Sequence, residues 1–454
     1  MNPYTVVAIE PTISDTLQIK VVKTPNVIPG AQLLGPFNCD PDNMPPWDQN
    51  GAVQAHGQLL RQQLSAHPGV ATALQHLVGT PLNARHSLYF QVWGAAERFR
   101  WEALWDDDAQ FLALDRRWPI ARIADSTIVA QPPTYHFTPP LRIVALLSAL
   151  NVKAEPQWRK LYEAVTDARQ QKLEIQMKVF VGEEDLLAAI RKEIEEGIVT
   201  GVQAEPMPQN SVQIAAALAS FPPHIFHLFC HGSASHGKAQ LELATIADWD
   251  LGESSVILGM NQLAQIPALQ NTWLVTLNCC EGGKSVGDLQ SMAHRLVQEA
   301  VPAAVGMLEP IDAADAHEFC GAYYAAVFEA VQRLQEAPVG QDVEIEWAEV
   351  LHPPRTILSQ SHQTPESRRE WTSPVLYVRP GGFRAERKAA APVISPDISE
   401  AMRLMRERAA AVALVLRGLT PETPAAVRDQ ILATLADIPP ELRPDRNGNF
   451  PGGT

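Results

Sequence analysis

Long apolar runs are missing from this 454-residue chain. No stretch of about 18 uncharged apolar residues occurs, so no membrane-spanning helix is expected. Positive charge is also scarce: 36 Lys and Arg stand against 51 Asp and Glu, a formal net charge of −15. That balance argues against nucleic acid or an anionic membrane as the main partner, since both need a basic surface. Cysteine is sparse. Cys39, Cys230, Cys279, Cys280 and Cys320 form an odd set without framework spacing, which fits free thiols in a reducing compartment. The start, MNPYTVVAIEP, lacks the basic and apolar regions of a signal peptide, so the expected location is the cytoplasm. No repeat period stands out. His224, His227, Cys230 and His231 crowd together, but no CxxC or HExxH spacing marks a metal centre. Gly283-Lys284-Ser285 lacks the glycine that a phosphate loop needs five positions before Gly283, where Asn278 stands. Ser235 has Ser233 where a nucleophile elbow needs glycine. Neither a cofactor nor a metal is expected.

What is present is an ordinary globular composition, 46% hydrophobic and 19% charged, over a length that suits two or three domains. Residues 1–140 hold an apolar alternation at 17–22, a helical pattern at 53–66 and a strand-like run at 87–93. The segment FRWEALWDDD comes next and reads as helical, then RRWPIARI, which together make an N-terminal α/β lobe. The Pro-rich stretch 131–140 reads as a boundary. Beyond it, β-branched runs at 142–147, 174–181, 225–230, 272–279, 303–308 and 375–378 alternate with amphipathic helical runs. Those helices are predicted at 157–171, 184–196, 211–220, 288–300 and 313–333. Such alternation implies an α/β fold with a mostly parallel six-stranded sheet flanked by helices, spanning 141–380. Residues 381–396 read as a linker. Ile398, Met402, Met405, Ala409, Val412 and Leu416 then recur at helical spacing, and Thr423 with Pro424 starts a second helix. A C-terminal helical hairpin with a disordered tail from Pro439 completes 381–454.

Functional groups of α/β sheets gather just past the C-terminal ends of strands. Two such loops stand out. IFHLFCHGSASHG carries His231-Gly232, and TWLVTLNCCEGGKS carries Cys280-Glu281-Gly282 about 50 residues later. That separation leaves room for one strand–helix–strand unit, so adjacent strand ends would hold an imidazole beside a thiol. The imidazole lowers the thiol pKa and later protonates a leaving group. The N–H groups of Gly232 and Cys280 are candidate donors to a developing oxyanion. Either residue alone would read as a packed thiol or a satisfied core histidine. Their pairing favours chemistry.

Cys279-Cys280-Glu281-Gly282 resembles the caspase signature of a small residue, Cys, any residue and Gly, and the His-to-Cys separation matches that family's. The wider pattern is closer to the CHAT peptidases, a caspase-like family. FHLFCHG resembles their strand-plus-His-Gly motif, and LVTLNCCEG their Leu-Asn/Ser-Ala-Cys motif. AHRLVQEAVPAAVGMLEPIDAADAHEFCGAYYAAV resembles the family's segment after its cysteine, and FRWEALWDDDAQFLALDRRWPIARI their Trp-Glu-x-Leu segment. The resemblance covers roughly residues 80–380.

It implies a caspase/separase-type fold with Cys280 as nucleophile, His231 as general acid/base, and Gly232 and Cys280 as the oxyanion hole. Cys279 stands where relatives usually carry alanine. Only one of two adjacent strand residues can share a face with His231, and motif alignment picks Cys280, leaving Cys279 a resolving role or a minority claim. Relatives often select their P1 residue with an acid near the strand after the nucleophile. Asp312 and Asp315 occupy that region and would suit a basic P1 side chain, although Asp312 reads equally well as a helix N-cap. No side chain presents itself as a third triad member. The family implies an endopeptidase with few protein substrates in regulated proteolysis, such as antiviral defence or programmed cell death in prokaryotes. An activating protein partner would dock on the N-terminal lobe or the C-terminal helices. The alternative is a catalytically idle interaction module of the same fold.

Overall fold

The structure is a computed structural model. It describes residues 2–14, 16–47, 51–124, 134–235, 238–280, 289–309, 311–360, 364–380 and 382–389, with shorter pieces between 405 and 447. Two compact units result, Met1–Ala389 and Ala390–Thr454. Among the described residues, no helix is long and apolar enough to cross a membrane.

The first unit is built on one 14-stranded sheet. Its N-terminal strands are β1 (Tyr4–Pro11), β2 (Leu17–Lys23), β3 (Gly35–Phe37) and β4 (Ser87–Val92). Helices α1 (Ala52–Ser65) and α2 (Pro68–Val78) lie between β3 and β4 in the chain, and a small hairpin of β5 (Trp105–Asp106) and β6 (Gln110–Phe111) precedes β7 (Ile120–Ile123). After the short β8 (Tyr135–Phe137) comes the alternating region: β9 (Leu141–Ser148), α3 (Glu155–Gln170), β10 (Ile175–Val181), α4 (Glu184–Glu195), β11 (Val202–Pro206), α5 (Ser211–Ser220) and β12 (Ile225–Ser235). Strands β13 (Lys238–Leu243) and β14 (Val256–Gly259) come next, with α6 (Ile246–Leu251) between them and α7 (Met260–Ala264) after them. The chain continues through β15 (Leu274–Cys280), α8 (Leu289–Glu299), β16 (Ala303–Met307) and α9 (Ala313–Glu336). It closes with β17 (Asp342–Ile345), α10 (His352–Gln360), β18 (Pro374–Val378) and β19 (Phe383–Arg387).

The sheet order is β11-β10-β9-β12-β15-β16-β18-β7-β4-β1-β2-β3, with β13 and β14 branching from β12. The six strands expected from the sequence are the consecutive block β10 to β18, five parallel and β18 antiparallel to β16. The sheet does not stop there. Strand β18 pairs in parallel with β7, β7 with β4, and β4 with β1, so residues 1–124 continue the same sheet with strand direction reversed. Of the Pro-rich stretch 131–140, residues 131–133 lie outside the described residues. Strand β1 had no alternating signature because five consecutive residues, Thr5 to Ile9, are buried on both faces.

Hydrophobic clusters cover both faces. Ile225 and Phe229 of β12 belong to one, while Phe226, Leu228 and Cys230 belong to the other, as the period of two requires. Two expectations shift. FRWEALWDDD forms a 3-10 turn at Trp101–Ala103 and the β5–β6 hairpin instead of a helix, because Glu102 is drawn to Arg122. The expected linker at 381–396 contains strand β19, which pairs with β17 and β8 and buries Phe383 and Ala385.

The second unit is small. Met405, Ala409 and Val412 pack against Leu435, Ile438 and Leu442, a helical hairpin's apolar seam. Its second helix, Ala425–Ala433, takes Pro424 as N-cap, one residue later than the sequence suggests. The expected disordered tail is partly ordered: Arg446 grips Asp429 at 2.6 and 2.8 Å, and Arg443 Nη2 donates to the Ala436 carbonyl at 2.8 Å. Residues 448–454 lie outside the described residues.

The join between β7 and β18 is held by charge. Arg122 and Glu102, both 0% exposed, form a fork of 3.1 and 2.8 Å bonds. Arg122 also donates to the carbonyls of Glu97 at 2.7 Å and Phe99 at 2.9 Å. Arg355 spans the same join, donating to Ile120 and Pro374 carbonyls at 3.2 and 3.0 Å. Removing one partner of such a pair strands a buried charge, which costs about 3–5 kcal/mol. Glu102→Ala should therefore lower the unfolding free energy by that amount, read from urea denaturation. A change below about 1 kcal/mol would show that the pair is dispensable.

Candidate active site

The parallel ladder between β12 and β15 runs from Ile225↔Leu274 to His231↔Cys280. His231 and Cys280 are therefore partners on one rung, with Cα atoms about 4.8 Å apart by sheet geometry. The preceding rung pairs Cys230 with Cys279. Successive rungs alternate in face. His227, Phe229, Thr276 and Asn278 all contact α3 or α9 residues, so the 231–280 rung belongs to that face. The other face carries Cys230 in its apolar cluster.

His231 is 7% exposed. Its Nε2 hydrogen-bonds the carbonyl of Leu150, in the turn after β9. A carbonyl can only accept, so Nε2 carries the hydrogen and the neutral ring keeps its lone pair on Nδ1. Nδ1 is buried and has no partner among the described residues. Asn151 beside Leu150 adopts a φ of 65°, in the left-handed region that Asn tolerates. No side-chain pattern could have announced Leu150, because the acceptor is main chain.

At the end of β9 the neighbour of β12 changes. Cys230 pairs with Ser148, but His231 onwards pairs antiparallel with β13, giving His231↔Glu242 and Gly232↔Leu241. Ser148 fixes this handover, since its Oγ accepts from the Ala244 N–H at 2.7 Å and donates to the Ala244 carbonyl. Gly182 packs into the same junction. A Cβ there would meet the Ala244 carbonyl at 2.4 Å and Ser148 Oγ at 2.6 Å, so only glycine fits.

Beneath the rung runs a buried polar chain. His317 Nδ1 donates to Gln157 Oε1 at 2.9 Å, and Gln157 Nε2 donates to His227 Nε2 at 3.1 Å. His227 Nδ1 then donates to Tyr324 Oη at 3.0 Å, and Tyr324 donates to Thr276 Oγ1 at 3.4 Å. Asn278 Nδ2 donates to the Ala316 carbonyl at 3.0 Å. The chain fixes the first turn of α9 against β12 and β15. Burial holds His227 neutral, with its pKa pushed down to about 3, and does the same to His224, where Arg142 adds repulsion. These histidines are structural and explain the crowding seen in the sequence. His224 stacks on Trp273 at 4.4 Å and accepts from the Arg142 N–H at 3.0 Å.

The acids after β16 have separate fates. Glu309 is shared by Arg100 at 2.7 Å and Arg369 at 3.1 Å. Asp312 caps α9, accepting from the Ala314 N–H at 2.7 Å, and is exposed. Asp315 forms an ion pair with Arg368. Burial pushes the Cys39 thiol up to about 11 and the Cys320 thiol higher still, so both stay protonated and unreactive at neutral pH. Glu281 and Gly282 lie outside the described residues.

The two neutral histidines set a pH dependence. Unfolded, each binds a proton near pH 6.5; folded, each resists protonation until about pH 3. The unfolded state thus binds more protons as pH falls through this window, and stability declines by about 1.4 kcal/mol per pH unit for each histidine. Urea midpoints between pH 6.5 and 4 should fall, and His227→Gln should reduce the slope by one proton's worth. An unchanged slope would show that His227 is protonated in the fold.

Two crystal structures of the separase–securin complex from Saccharomyces cerevisiae are similar to parts of this chain. They share 12% and 13% identity, with TM-scores of 0.32 and 0.35. In each case 71% of this chain covers only 17% of the separase-complex chain. No curated protein matches the sequence. The CHAT domain matches residues 54–337, which include all but the first two residues of α1, both site strands and the whole of α9. With more than half its length so matched, the chain belongs to the CHAT-domain family, a caspase-like protease family.

Proposed function

We propose that this chain is a cysteine endopeptidase working through a His231–Cys280 dyad. The observation that carries the reading is the shared rung of His231 and Cys280. A one-residue slip would have paired Cys279 instead. The orientation of His231 supports the same role. With Nε2–H held by Leu150, Nδ1 is the nitrogen able to take a proton. The Leu150 carbonyl acts as the third member, fixing the tautomer and the orientation of the ring.

The steps derive from those positions. The Cys280 thiol proton passes to His231 Nδ1, and the thiolate attacks the scissile carbonyl carbon. The oxyanion receives hydrogen bonds from the N–H groups of Gly232 and Cys280. The C–N bond breaks as His231 returns the proton to the departing amine, leaving a thioester on Cys280. Water attacks that thioester, gives a proton to His231, and releases the acid and the thiol.

For P1, Asp312 is the acid with charge to spare, because Glu309 and Asp315 are matched to arginines. The reading is a preference for a basic P1 residue, with Asp315 supporting through Arg368. Family membership favours regulated proteolysis of a few proteins, in defence or programmed cell death, under an activating protein partner. Residues 1–140 and the C-terminal hairpin are the candidate docking elements.

Cys280→Ala and His231→Ala should each reduce cleavage about 10³-fold or more while leaving circular dichroism and the melting temperature unchanged. Cys279→Ala should keep activity, and loss there with retention in Cys280→Ala would reverse the nucleophile assignment. A charge-assisted contact is worth about 1.5–3 kcal/mol. Asp312→Lys should therefore cut kcat/KM for Arg at P1 about 10- to 100-fold while sparing a neutral P1. Equal loss on both substrates would reduce Asp312 to a helix cap.

A further inference from the structure

The rung that holds the dyad extends beyond it. Cys280 pairs with His231, His231 with Glu242 on β13, and Glu242 with Ile257 on β14. Cross-strand partners share a face. The neighbours confirm which one: Leu241, Leu243, Val256 and Leu258 are buried in the cluster that holds Cys230, so Glu242 and Ile257 sit on the opposite face, with His231. Glu242 is half-buried, and its carboxylate has no partner among the described residues. Ile257 is 41% exposed, unlike the buried residues on either side of it. Ser233, two residues past His231, buries an Oγ that also lacks a partner among the described residues. The hairpin is anchored at its base by Ser148, Ala244 and Gly182. It forms a fixed shelf.

The direction of a bound peptide is set by the chemistry, and rests on the proposed dyad. Attack by Cys280 places the P1 carbonyl carbon at β15. Proton return by His231 places the P1′ nitrogen at β12. The peptide therefore crosses the strands from β15 through β12 towards β13 and β14, and the leaving-group side passes over the shelf. Strands lie about 4.8 Å apart and an extended residue spans about 3.3 Å. Glu242 then falls one to two residues past the scissile bond, and Ile257 about three.

We propose that Glu242 is a specificity-determining residue of the leaving-group side, selecting Lys or Arg at P1′ or P2′. Ile257 offers an apolar contact one residue or so further on. Such an acid charge-pairs with an incoming cation and stays idle toward a neutral chain. The net charge of −15 favours the same class of substrate in approach.

The test starts from a peptide that wild type cuts and Cys280→Ala does not, found in a random-sequence library. Versions with Lys or Glu at P1′ and P2′ are compared on wild type, Glu242→Gln and Glu242→Lys. Wild type should favour Lys over Glu by about 10-fold or more in kcat/KM. Glu242→Gln should erase the preference through KM, and Glu242→Lys should invert it. An unchanged preference in both variants overturns the proposal and leaves the dyad standing. So does an equal fall in kcat on both peptides with a displaced pH profile, which would make Glu242 a positioning residue for His231. Absence of any Cys280-dependent cleavage overturns this proposal together with the reading beneath it.

Discussion

Everything proposed for this chain depends on the register of one parallel ladder. Strands β12 and β15 pair over seven rungs, and only the last joins His231 to Cys280. A ladder has no mechanism for a half-step: slipping by one residue would send each side chain to the other face. What prevents the slip is that both faces are buried in different ways. One demands Phe226, Leu228, Val275 and Leu277, all fully or almost fully buried in a single cluster. The other accepts polar groups only where partners wait, His227 for Gln157 and Tyr324, and Asn278 for the first turn of α9. Displacement would bury these groups unpaired, at about 1–3 kcal/mol each. Buried polarity here fixes register more than it adds stability.

The same logic explains which parts of the site the sequence could disclose. His231, Gly232 and Cys280 were legible because a strand pattern ends in each of two Gly-rich turns. The choice of Cys280 over Cys279 rested on motif alignment, and the rung that Cys280 shares with His231 is what the proposal adds to it. Leu150 was invisible. Its contribution is a carbonyl oxygen, and every residue has one. Asp312 was ambiguous in the sequence because capping a helix and meeting a cation call for the same exposed carboxylate, and the structure places it as a cap without removing it from solvent.

The fold divided along a similar line. Six strands of the alternating region, β9, β10, β12, β15, β16 and β18, were read with bounds within two residues of those observed, except that β12 runs five residues further, to Ser235; strands covered on both faces are unbroken apolar runs. The N-terminal strands were harder. Strand β1 is as deeply buried as the rest, while β13 interleaves Gln240 and Glu242 with Leu241 and Leu243, and β14 has only four residues. Local propensity favoured a helix at FRWEALWDDD. It lost to a single long-range charge, since Glu102 must reach Arg122 on β7.

That pair also determines what the N-terminal region can be. Had residues 1–124 formed a lobe of their own, a partner bound there would act on the site only through a linker. Instead they extend the sheet that carries β12 and β15 across the β7–β18 join, and Arg100 of this region shares Glu309 just past the end of β16, the strand beside β15. Asp312 lies three residues after Glu309. A partner that shifted Arg100 would leave Glu309 to Arg369 alone, three residues from the proposed P1 acid. The connection is short and made of two largely buried, charge-matched side chains, Arg100 and Glu309, so the N-terminal region reaches the end of the site-bearing strands by a direct contact rather than through a linker.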